Sequence, residues 1–117
     1  MLQSGEGAGL TLLTTVRDDL LVLVTAAGEI DAASVGDFRL VLAQACGVGD
    51  KLVVDLSRVR FLSCAGLRAL EETSRERPAL SVVATGRLVL RAFDVSGVGE
   101  AVDVRPRLTE ACAFARA

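Results

Sequence analysis

Short runs of valine and leucine constrain the fold more than any other feature of this chain. Two of them, Lys51–Leu56 and Leu80–Ala84, are apolar almost throughout, and stretches with helical spacing separate them. A run that is apolar on both sides predicts a strand covered on both faces, as in parallel sheets. Because parallel neighbours need a long crossover connection, the intervening helices fit this arrangement. The sequence therefore predicts an α/β fold with a mostly parallel sheet.

The chain enters this sheet through a hairpin, because Leu10–Val16 and Leu20–Ala26 predict two strands joined by a short polar turn. We expect a further strand at Ala101–Val104, a connector at Ser57–Leu62 and a loop at Val95–Gly99. About four helices are predicted, chiefly on one face of a mixed sheet: Ala33–Ala45, a second from Cys64 or Ala65 to Arg75, Gly86–Phe93 and Leu108–Ala115. The 117 residues fit one domain over residues 10–117, after a flexible leader over residues 1–9.

Composition excludes several classes of function. The net charge is −2 and aromatic residues make up 3%, so no basic or stacking surface indicates nucleic acid. Histidine is absent, which removes Ser-His and Cys-His nucleophiles and most catalytic zinc sites. Three cysteines without a C-x-x-C spacing favour free thiols. We therefore expect a protein that is not an enzyme and that holds no metal or cofactor.

The cellular location of the protein is predicted from two features that the sequence lacks, a signal peptide and a membrane-spanning segment. No basic region followed by an apolar one opens the chain, so no signal peptide is predicted. The longest apolar run, Leu20–Ala27, falls well short of the roughly 20 residues that cross a bilayer. We expect a cytoplasmic protein that makes no contact with a membrane.

Two polar segments follow strands of the predicted sheet. Gly28–Asp31 follows the second strand, and Phe61–Leu67 follows the Lys51–Leu56 strand. Function in an open parallel sheet gathers at the carboxyl ends of the strands, so Asp31 and the Ser63-Cys64 pair are expected on one rim if these two strands are neighbours. A helix beginning there would favour negative charge, including a side-chain phosphate. The simpler alternatives are that Ser63 and Asp31 are helix caps and that Cys64 is a small inert residue.

The segment from Val53 to Leu70, which contains Asp55-Leu56-Ser57 and Phe61-Leu62-Ser63-Cys64-Ala65-Gly66-Leu67, resembles the signature of STAS domains in anti-sigma factor antagonists. Gly28–Asp31 is similar to that family's Gly-Glu-(Leu/Ile)-Asp, and the similarity runs from Leu10 to about Ala115. The resemblance implies a single STAS-type domain. It also implies a protein that binds an anti-sigma factor, itself a serine kinase, and so releases a sigma factor to regulate transcription.

The same resemblance implies a switch that this sequence alters. In the family, the kinase phosphorylates a serine of the signature, which breaks the complex, and a PP2C-type phosphatase restores it. That acceptor corresponds to Cys64, the family's preceding Asp to Ser63, and the following Ser to Ala65. Three interpretations stay open: the switch is absent, it has moved to Ser63 as an alternative acceptor, or it acts on the thiol. A redox-sensing module and a module that binds a small ligand or nucleotide are the alternative functions.

The predicted partner surface combines the two polar segments with the start of the second helix. A homodimer also stays open, since apolar helix faces serve cores and interfaces alike. The predicted partner-binding residues are Asp31, Arg60, Ser63, Cys64, Gly66, Leu67 and Arg68.

Overall fold

The computed structural model describes residues 2–7 and 9–117. Within these residues a six-stranded sheet is flanked by five helices. The strands are β1 (Leu2–Gly7), β2 (Leu10–Val16), β3 (Leu21–Ile30), β4 (Lys51–Leu62), β5 (Ser81–Val83) and β6 (Asp103–Arg105). The helices are α1 (Val35–Cys46), α2 (Cys64–Glu76), α3 (Arg87–Ser96), α4 (Val98–Ala101) and α5 (Leu108–Arg116).

The strands lie side by side in the same order as in the chain. β1, β2 and β3 pair antiparallel, whereas β3, β4, β5 and β6 pair parallel. The prediction of a mixed, mostly parallel sheet entered by a hairpin is confirmed.

Alternation along β4 explains the uninterrupted apolar run in its first half, residues 52–54. Leu52 and Val54 belong to the large core beneath α1–α4, whereas Val53 packs with Cys112 and Ala115 of α5 on the opposite face. Successive side chains of a strand point to opposite faces, so a strand covered on both sides must be apolar at every position. The helices therefore lie chiefly on one face, as predicted, with α5 alone on the other within the described part.

The N-terminal segment, for which the sequence predicts a flexible leader over residues 1–9, contains a strand. Leu2–Gly7 forms β1, which pairs antiparallel with β2 and places Gly7 opposite Leu10. Residues 1 and 8 of that prediction lie outside the described residues. The sequence of β1 lacks an apolar alternation, and its pairing uses backbone groups that any residue supplies.

Two strands run further than the sequence indicates. β3 continues through Ile30 rather than ending at Ala26, and the expected connector Ser57–Leu62 is the second half of β4. These extensions pair with each other, and two irregularities in register interrupt the pairing near Ala27 and Glu29. Bulges of this kind break the alternation that identifies a strand in a sequence.

The segment after β5 is more helical than predicted. α3 continues to Ser96, and the short α4 replaces most of the expected Val95–Gly99 loop. Gly97 separates the two helices with a φ of 79°, a left-handed conformation that glycine adopts without strain. β6 is correspondingly shifted to Asp103–Arg105 from the predicted Ala101–Val104.

Gly28 lies where β3 passes the beginning of β2. Its φ is 114°, and a Cβ atom added there would lie 2.0 Å from the carbonyl oxygen of Gly9. The next amide, of Glu29, donates a hydrogen bond to that same oxygen at 3.2 Å. Only glycine allows both this positive φ and this close approach to the backbone of Gly9. The chain then continues along β3 towards Asp31.

Candidate functional site: a rim at the ends of β3 and β4

The extended halves of β3 and β4 end together, which brings the two polar segments to one rim. Ile30 pairs with Leu62, and the amide of Ser63 donates a hydrogen bond to the carbonyl of Ile30 at 2.8 Å. Asp31 and Ser63 are therefore neighbours, because each is the next residue after one member of this pair. This juxtaposition is the one that the sequence predicts.

Asp31 organises the turn that leads into α1. Its Oδ1 accepts hydrogen bonds from the amides of Ala33 and Ser34 at 3.0 and 3.1 Å. The Ser34 hydroxyl accepts from the Asp31 amide at 3.0 Å and donates to the carbonyl of Glu29 at 2.7 Å. This reciprocal pair resembles a capping box placed one turn early. The helix itself begins at Val35, with Ser34 as its N-cap, rather than at Ala33.

Ser63 is the N-cap of α2. Its Oγ accepts a hydrogen bond from the amide of Gly66 at 3.2 Å, which satisfies one of the free amides of the first turn. The hydroxyl is therefore part of the helix start, in agreement with the simpler interpretation of this residue. Aspartate and serine are both good N-caps, so a serine at position 63 preserves the capping capacity of the aspartate that the resembling signature has there.

Cys64 is the first residue of α2 and is exposed. Among the described residues, no disulfide includes it, and the other two thiols lie elsewhere: Cys46 is half-buried at the end of α1, and Cys112 is buried on α5. The Cys64 thiol is thus accessible to solvent at the start of α2.

Gly66 and Leu67 support the rim from beneath. Both are buried, and a Cβ atom at Gly66 would lie 2.7 Å from Cδ1 of Leu62 and 2.8 Å from Cγ2 of Ile30. Glycine at this position lets the first turn of α2 rest directly on the ends of β3 and β4. Both residues therefore position the first turn of α2, and their predicted part in partner binding stays a prediction.

The remaining predicted residues lie on two different grooves. Cys64, Leu67 and Arg68 line a groove between α2 and the α3–α4 junction, together with Glu71, Ser96 and Val98. Arg60 lines a second groove, between the end of β4 and the beginning of α3. The sequence placed all of them on one surface.

Three residues of this region escaped the sequence analysis. Ser34 is fully buried and holds the Asp31 turn, and the Asp-x-x-Ser spacing is the local signal for it. Phe61 is 47% exposed beside Arg60, and the sequence analysis did not single it out as a surface residue. Val98 lines the first groove because α4 packs against α2, which no local pattern indicates.

The three thiols are expected to react at different rates with iodoacetamide under native conditions. Exposed Cys64 should be labelled first, because burial raises the pKa of the Cys46 thiol and Cys112 is enclosed beneath α5. Mass spectrometry of timed samples measures the order, and labelling in urea supplies the unfolded control. Labelling of Cys112 as rapid as that of Cys64 would contradict the packing of α5.

The described residues include no group of three or more cysteine, aspartate or glutamate side chains that could hold a metal ion. No helix formed by them has the length and apolar character needed to cross a membrane.

Comparison with known proteins agrees with this geometry. The STAS domain family model matches residues 12–111. An anti-sigma factor antagonist from Mycobacterium paratuberculosis is 27% identical, with a TM-score of 0.85 over 92% of this chain and 95% of its own. The antagonist SpoIIAA in its unphosphorylated form is 19% identical, with a TM-score of 0.68 over 99% and 96%. A sequence search of curated proteins gives no match. Because the family model covers most of the chain, this protein belongs to the STAS domain family and has the fold of its anti-sigma factor antagonists.

Proposed function

We propose that this protein is an anti-sigma factor antagonist. It binds an anti-sigma factor through the rim of Asp31, Ser63 and Cys64 and thereby releases a sigma factor in the bacterial cytoplasm. The observation that carries this proposal is the pairing of Ile30 with Leu62, which places both matched motifs on one exposed edge. The antagonist from Mycobacterium paratuberculosis, which shares the fold over nearly its whole length, supports it. The protein acts by binding and not by catalysis.

The proposed partner is an anti-sigma factor with serine kinase activity, to which this protein is insensitive at position 64. A serine kinase forms an oxygen–phosphorus bond between a hydroxyl and the terminal phosphate of ATP, and releases ADP. Cys64 offers sulfur in place of that oxygen, and the neighbouring hydroxyl of Ser63 is held in the N-cap hydrogen bond with Gly66. The complex therefore persists in the presence of ATP. A PP2C-type phosphatase has no substrate at residue 64.

Direct binding tests the proposal. We expect the wild-type chain to bind at least one purified anti-sigma kinase of the source organism, with a Kd of about 1 μM or lower. Arg68→Glu should weaken binding about tenfold, because the exposed guanidinium lies on the first groove beside Cys64. Isothermal titration calorimetry measures both values.

Arg17→Glu is the matched control for this substitution. Arg17 is exposed in the turn between β2 and β3, at the end of the sheet opposite the rim, so its reversal should leave the Kd unchanged. Equal losses in the two variants would indicate a general charge effect and count against the rim. The absence of binding to every kinase tested would refute the proposed function.

A further inference from the structure

The second groove of the molecule contains a concentration of arginine that the rim does not explain. It lies between the second half of β4 and the first turn of α3, and its lining residues are Ser57, Arg58, Val59, Arg60, Gly86, Arg87, Leu88 and Val89. We call it the arginine groove. It exists because β4 runs on as far as Leu62 and gives α3 a strand to pack against.

The charge of the arginine groove opposes that of the whole chain. Three of its lining residues are arginine and none is acidic, whereas the complete chain carries a net charge of −2. Other arginines of the described part form ion pairs, such as Arg39 with Glu72 and Arg116 with Asp19, but Arg58, Arg60 and Arg87 form none. Like charges that line one groove repel one another, and an acidic partner would relieve that repulsion.

The helix beside these arginines also presents apolar side chains to solvent. Leu88 is 65% exposed and Val95 is 75% exposed, and the seven-residue spacing places both on one side of α3. Val89 and Phe93 are the buried residues that hold the same helix to the core. The surface therefore offers positive charge and exposed apolar groups together, a combination typical of protein interfaces with arginine at their edges.

We propose that the arginine groove docks an acidic, leucine-bearing segment of the anti-sigma factor, and this inference rests on the proposed function. Carboxylates of the segment pair with Arg58, Arg60 and Arg87, while its apolar side chains cover Leu88. Arg60 is also one of the predicted partner-binding residues, so the groove extends the predicted partner surface along α3. The rim then supplies recognition by shape, and the arginine groove supplies charge complementarity.

Nucleic acid and free nucleotides fit this surface less well. Phosphates would satisfy the arginines but would leave Leu88 and Val95 exposed, and none of the groove's lining residues supplies an aromatic ring on which a base could stack. The three arginines also form one short cluster rather than a stripe that could follow a nucleic-acid backbone.

The test uses the anti-sigma kinase that binds the wild-type chain. We expect Arg58→Glu/Arg87→Glu to raise the Kd about tenfold or more, mainly through a slower association rate, and to flatten the dependence of that rate on salt. Leu88→Ala should raise the Kd about threefold through faster dissociation. Arg17→Glu and Leu40→Ala are the controls, because Leu40 is an equally exposed leucine on α1. Stopped-flow fluorescence gives the rates, and circular dichroism verifies the fold of each variant.

Each result decides between the two proposals. Weakened binding in the groove variants, with unchanged controls, supports the arginine groove as a docking surface. Wild-type rates in the groove variants would overturn it and leave the proposed function standing. Failure of the wild-type chain to bind any kinase would overturn both. Binding of ATP or of a duplex DNA that is lost in Arg58→Glu/Arg87→Glu, while kinase binding persists, would reassign the groove to anions.

Discussion

Gly28→Ala is expected to lower the free energy of unfolding by about 4 kcal/mol, a large part of the roughly 5–15 kcal/mol that a domain of this size has. The new methyl group would lie 2.0 Å from the backbone oxygen of Gly9, so β2 and β3 must separate locally. Such overpacking costs about 1–3 kcal/mol. The φ of 114° adds a conformational strain of similar size for any residue with a Cβ atom. Urea denaturation followed by circular dichroism measures the loss.

Substitutions at two other glycines allow the steric clash and the backbone strain to be measured separately. Gly97 has a φ of 79° but open space around it, so Gly97→Ala should cost only the backbone strain, about 1–2 kcal/mol. Gly36 lies in α1 with no atom near its missing Cβ, and Gly36→Ala should stabilise the protein by about 0.5–1 kcal/mol. If Gly28→Ala costs no more than Gly97→Ala, the close approach of β2 and β3 does not contribute.

Cys64→Ser is expected to have the largest effect on function, because it restores a hydroxyl at the exposed first position of α2. We expect the variant to take up one phosphate per chain at residue 64 when incubated with its kinase and ATP. A phosphoserine adds a charge of about −1.5 to −2. On a rim that already carries Asp31, and in an interface that must be desolvated, this charge should weaken binding at least tenfold. Intact-mass and peptide mass spectrometry locate the phosphate, and calorimetry measures the affinity.

The wild-type chain and Cys64→Ala are the controls for this experiment. Both should remain unmodified and should bind the kinase equally well with and without ATP. Phosphate on Ser63 of the wild-type chain would show instead that the switch has moved by one residue. An unphosphorylated Cys64→Ser protein in complex with an active kinase would contradict the assignment of residue 64 to the acceptor position.

The sequence predicted those elements in which the pattern of apolar and polar side chains reflects which faces are buried. Lys51–Leu56 is recognisable as a strand because both of its faces are covered, and the helical spacing of Val35, Phe38 and Leu42 reflects a single buried stripe. The second half of β4 escaped recognition because Ser57, Arg58 and Arg60 are exposed there and bulges shift the register. β1 was not predicted because it is formed by backbone pairing with β2 and its sequence has no alternating apolar pattern.

The candidate site was predictable to the extent that topology determines it. Parallel strands end at the same edge of a sheet, so the meeting of Asp31 with Ser63 was predictable on the condition that β3 and β4 are neighbours, which they are. The grooves were not predictable, because they depend on the packing of α3 and α4 against β4 and α2. Neither Leu88 nor Val98 carries a local signal of the groove that it lines.

The sheet order, in which each strand lies beside its predecessor, has a consequence for synthesis on the ribosome. Each strand from β2 onwards pairs with the strand that was synthesised before it, so the sheet can grow by the addition of strands at one edge. The rim is built from residues up to and including α2, whereas both grooves also contain residues of α3. The first 80 residues therefore include every element of the edge that carries Cys64, but they include none of the α3 and α4 residues that complete the two grooves.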